Sequence, residues 1–158
     1  MTWLIAIAVI AFMLAPLVWI IPTPRQAKQA RLRERARQLG LQVQMLAQPQ
    51  TRRQKVRKEA EEQGVCYSLP LVKRNSTAPW RYWFSEAAAA EDDAPALPQE
   101  LLAIIEAQQA FWPKDALQLE FTGQALRLYW LERGLELGSV EQLAVALKNI
   151  LEKLGFEY

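Results

Sequence analysis

Few residues in this chain are equipped for chemistry. Cys66 is its single cysteine, set in the apolar run VCYSLPLV, and there is no histidine. A reactive thiol needs a nearby histidine or a helix N-terminus to favour the thiolate, so Cys66 reads as a buried structural thiol. Without imidazole, one thiol cannot make a structural zinc site, and one cysteine supports no internal disulfide framework. Glu91, Asp92 and Asp93 are adjacent acids in an Ala/Pro-rich stretch. Metal ligands must be held in place, so this cluster is expected to be solvated. Glu120 and Glu132 fall on strand-forming segments, with no sign of the pocket that paired catalytic acids require. No GxGxxG, P-loop, HExxH or GxSxG motif occurs. No catalytic, cofactor-binding or metal residue is assigned, and the chain is expected not to be an enzyme.

Charge is more informative. Of 158 residues, 24–58 hold eleven Lys/Arg against one acid, Glu34, whereas 59–158 hold eight against sixteen Asp/Glu. The first basic cluster, Arg25, Lys28, Arg31, Arg33, Arg35 and Arg37, follows an uncharged stretch and is assigned to lipid headgroups and topology. The second, Arg52, Arg53, Lys55, Arg57 and Lys58, is the candidate partner-binding surface. The strand WRYWF puts Trp80, Tyr82 and Phe84 on one face. A base-stacking platform would use such a face, so a nucleic-acid or nucleotide-binding module is the alternative reading. Strand aromatics are more often core, and nucleic acid is disfavoured.

These residues must be positioned by the following elements. Residues 2–22 carry no charge, and about 20 helical residues match about 30 Å of hydrocarbon. Residues 1–22 are therefore expected to be a single transmembrane helix, with Trp3 and Trp19 at the headgroups and a kink at Pro16. Positive charge after the span predicts an outside N-terminus, with residues 23–158 in the cytoplasm. Thr23, Pro24 and Gly40 bracket a helix with a thin apolar stripe of Leu32, Ala36 and Leu39, expected as a solvated stalk or headgroup-lying helix over 23–40.

The remainder, 41–158, is expected to be one α+β domain. It is read as a strand over 41–46, a helix over 51–63, a hairpin of 65–72 with 80–86, a mobile linker over 87–98, a helix over 98–112 and a hairpin about Thr122, Gly123 and Gln124. The last element is a helix opened by Ser139, with Val140, Leu143, Leu147, Ile150, Leu151 and Leu154 as its stripe. This order predicts an antiparallel or mixed sheet of about five strands with two to three helices. The first six elements are compatible with a ferredoxin-like core.

The span followed by PRQAKQARLRERARQLG resembles the start of the YajC family, single-span accessory subunits of the bacterial Sec translocase. The likeness covers about residues 3–40, and the Gly-Gly strand motif that follows in that family is missing here. The whole chain is similar to Arg/Gln/Leu-rich single-span proteins of proteobacterial inner membranes. Neither resemblance implies a catalytic residue. The lack of catalytic motifs and the tethering that an anchor provides point to a non-enzymatic, membrane-anchored protein-interaction domain. Its expected role is an accessory or assembly subunit of a protein complex at the bacterial inner membrane that the resemblances imply, with membrane lipids as further partners.

Overall fold

The computed structural model describes residues 2–20, 22–74, 76–93, 95–134 and 137–158, without the side chains of residues 2 and 15–20. The expectation for the Trp19 indole thus rests on a side chain outside those described, while the Pro16 backbone lies within one continuous helix. Six α-helices are described, α1 (Thr2–Ile20), α2 (Pro24–Gln38), α3 (Arg52–Val56), α4 (Glu86–Ala90), α5 (Gln99–Glu106) and α6 (Leu137–Lys153). The five strands are β1 (Gln42–Ala47), β2 (Gln63–Pro70), β3 (Trp80–Trp83), β4 (Ala116–Phe121) and β5 (Ala125–Trp130).

The strands form one sheet in the order β1-β2-β5-β4-β3, with every pairing antiparallel. The β4/β5 hairpin turns at Thr122 to Gln124, where Gly123 supplies a φ of +79° and the Thr122 hydroxyl accepts from the Ala125 amide at 3.2 Å. The other expected hairpin does not form. β2 is enclosed by β1 and β5, whereas β3 pairs with β4 at the far edge. Non-local pairing thus outweighs adjacency in sequence. The all-antiparallel order also corrects the ferredoxin-like winding, which needs parallel neighbours across a crossover.

Alternation along the strands separates the two faces. Val43, Tyr67, Leu128, Leu119 and Tyr82 form one cross-strand row facing the helices. Leu32 and Ala36 of α2, Leu101 and Ile105 of α5, and most of the α6 stripe close the core over it. Trp80, Tyr82 and Phe84 pack against this core, with Trp80 stacked on Phe121 at 5.8 Å and Phe84 edge-on to Trp112 at 5.4 Å. That face is used for packing.

Helix α2 is not a solvated stalk. Its short stripe puts Leu32 and Ala36 fully inside the core. A Thr23/Gln26 capping box starts it, with the Thr23 amide donating to Gln26 Oε1 at 2.8 Å. α3 is shorter than its expected 51–63, because its basic start and the acids after it oppose the helix dipole. It stops at Val56, Lys58 takes a φ of +52°, and β2 begins at Gln63.

Among the described residues no helix is long and apolar enough to cross a membrane. This corrects the expected transmembrane helix over 1–22. The single-pass inner-membrane placement and the cytoplasmic orientation, both derived from that span, fall with it.

Candidate functional site

Two polar clusters order the basic segments. The first lies where α2 meets the end of β5. Glu132 follows that strand with a φ of +52° and is fully buried. Arg33 donates to its carboxylate through Nε at 3.0 Å and Nη2 at 2.6 Å, and the Tyr67 hydroxyl donates at 2.6 Å. Bidentate geometry and a third donor satisfy a charge that would otherwise be costly to bury. The bond to Glu132 raises the Arg33 pKa, whereas burial and then the same carboxylate push the Tyr67 phenol up. Arg35 adds a bond to Glu141 on α6 at 2.6 Å, and Arg37 pairs with Glu34 at 3.5 Å. Of the cluster assigned to lipid headgroups, Arg33 and Arg35 thus hold α2 on the domain. Arg25, Lys28 and Arg31 are exposed and, among the described residues, enter no ion pair. A groove of about 930 Å³ runs beside Arg31, Arg35, Leu137 and Glu141.

The second cluster lies on the sheet face turned away from the helical core. Registers place Arg81, Glu120, Arg127 and Ser68 in one row, and Trp83, Gln118, Tyr129 and Cys66 in the next. The segment after α4 reaches this face. Asp92 accepts from Arg81 Nε at 2.6 Å, Arg81 Nη2 at 2.9 Å and Trp83 Nε1 at 2.7 Å. Its burial opposes ionisation, but the Trp83 and Arg81 bonds outweigh this and hold its pKa below the usual carboxylate value. Glu91 then accepts from Arg53 at 2.8 Å, and Asp93 pairs with Arg52 at 3.6 Å and Arg81 at 3.4 Å. The acids read as a solvated cluster within a linker are thus a strap joining β3 to α3. In the second basic cluster Arg57 meets Glu59 at 3.9 Å, and Lys55 and Lys58 are exposed.

No catalytic arrangement emerges from these groups. Burial pushes the Cys66 thiol up to about 12, against thiolate formation. Glu120 accepts from the Tyr129 hydroxyl at 3.3 Å on the outer face, whereas Glu132 lies on the core side, so the two acids do not meet. Among the described residues no group of three or more Cys, Asp or Glu is arranged to hold a metal, and no buried side-chain nitrogen or oxygen lacks a hydrogen-bond partner. The sequence reading missed Tyr67 and Asp115 as polar anchors. Asp115 accepts from Trp130 Nε1 at 2.7 Å and the Arg133 amide at 2.6 Å. The only available signal was polar groups flanking apolar strands, which does not identify partners distant in sequence.

Compared with known proteins, the chain matches no family model, no curated protein and no solved structure.

Proposed function

We propose that this chain is a non-enzymatic protein-interaction module, an accessory or assembly subunit of a larger protein complex. The observation that carries the reading is α1. Every described side chain over residues 3–14 is apolar and exposed, with Trp3 at 72% and Phe12 at 82%, and none belongs to the core. Covering a large apolar side chain is worth about 1.5–3 kcal/mol, so a helix apolar all round favours an apolar partner surface. The polar groups of the domain support the same reading, since the strongest of them satisfy one another and hold elements together.

The test is purification of the full chain in mild detergent with cross-linking, beside an Ile5→Asp/Phe12→Asp variant. The native chain is expected to bring down the same subunits in stoichiometric amount, and the variant to lose them. Elution of the native chain alone, or with lipid only, overturns the proposal.

A further inference from the structure

We propose that α3 is a docking surface for an acidic segment of a partner protein, and that Glu91 and Asp93 occupy it as intramolecular competitors. The inference rests on the protein-interaction reading and adds the site and the chemistry of what it takes. Five cations, Arg52, Arg53, Lys55, Arg57 and Lys58, lie on α3 and its C-terminal end, all exposed, with no acid among residues 51–58. Their base is fixed. Thr51 is buried and closes a capping box with Gln54, whose side chain accepts from the Thr51 amide at 2.9 Å.

The strap shows which ligand chemistry this surface accommodates. Its middle acid, Asp92, is 4% exposed and held by Arg81 and Trp83. Its outer acids face α3 through pairs left largely in water, Arg53 with Glu91 at 55% and 36% exposure and Arg52 with Asp93 at 67% and 57%, and Glu91 adds one long bond accepted from the buried Thr51 hydroxyl at 3.4 Å. Exposed pairs of this kind are weak and screened by salt, so incoming carboxylates can replace them while Asp92 stays anchored. Lys55 and Lys58 enter no ion pair among the described residues, leaving the cluster under-neutralised. The stand-in groups are carboxylates, and Trp80, Tyr82 and Phe84, which would stack bases, pack against the core. An acidic peptide is therefore favoured over nucleic acid.

The experiment is fluorescence anisotropy of a labelled peptide of alternating Glu and Asp against the full chain in mild detergent, across a salt series. Glu91→Gln/Asp93→Asn removes the competitors, Arg52→Ala/Arg53→Ala removes the surface, and thermal unfolding verifies that both variants fold. Loss of two exposed ion pairs is expected to tighten peptide binding about five- to tenfold. The arginine variant is expected to lose binding, and rising salt to weaken it throughout. Equal affinity of the native chain and the acid variant, absence of binding by both, or tighter binding of a single-stranded oligonucleotide of equal charge overturns the proposal. Partner recovery through α1 is measured separately. Failure here with recovery intact removes this docking surface alone, whereas loss of recovery removes the wider reading.

Discussion

At the scale of single residues, the determining group is Glu132. A fully buried carboxylate is tolerable only while its partners remain, and it has three hydrogen bonds from two side chains. Arg33→Ala is expected to destabilise the full chain by about 2–3 kcal/mol, because it strands the charge and removes the link from α2. Tyr67→Phe removes one of the three donors and is expected to cost about 1–2 kcal/mol. Urea unfolding of both variants checks this, and near-native midpoints for both would show that water replaces the lost donors. Glu132 was legible as a charged residue near a strand end. Its burial was not, because Arg33 lies ninety-nine positions away in the chain.

At the scale of elements, α2 shows how a thin apolar stripe can still anchor a helix. Two residues, Leu32 and Ala36, enter the core, while Arg33 reaches Glu132 after β5 and Arg35 reaches Glu141 on α6. The helix therefore depends strongly on Leu32. Leu32→Ala is expected to cost about 2–5 kcal/mol through lost burial and the cavity left behind. Helical circular dichroism followed through urea unfolding measures it. A loss under 1 kcal/mol, where ordinary exposed substitutions fall, would show that the charged contacts alone hold the helix. The starts of α2 and α3 and the stripe of α6 were legible from local signals, whereas α3 ends at Val56, α5 ends at Glu106, and α6 already includes Leu137, ahead of the expected opening at Ser139. Thr23 and Thr51 both cap, and the α6 positions Val140, Leu143, Leu147, Ile150 and Leu151 are all buried. Strand partners were not legible, since VCYSLPLV carries no mark distinguishing β3 from β1 and β5 as its neighbour.

At the scale of the whole molecule, groups on the outer sheet face determine how stability responds to pH. Burial, and for Tyr129 also Glu120, holds both Cys66 and Tyr129 up to about 12, from ordinary values of 9.0 and 10.0. The fold retains protons that the unfolded chain releases, so this contribution is complete below pH 9.0 and is lost as pH rises towards 12. Asp92 acts in the opposite sense. Its folded pKa lies below 3.8, so its contribution is present above that pH and lost as pH falls through the lowered value. The urea midpoint of the full chain is expected to stay level between about pH 5 and 8 and to fall on both sides. A midpoint unchanged from pH 9.0 to 12 would contradict the burial of Cys66 and Tyr129. Periodicity and capping residues, which act over one to four positions, were enough for the sequence alone to determine the α+β class, the β4/β5 hairpin and the buried face of α6. Only the tertiary structure decided the strand order, the burial of Glu132, and the use of Arg33, Arg35, Arg52, Arg53 and the acids 91–93 as internal ties. Those outcomes depend on which distant groups meet when the core closes, and charge along a chain does not specify whether its partner is solvent or another part of the same molecule.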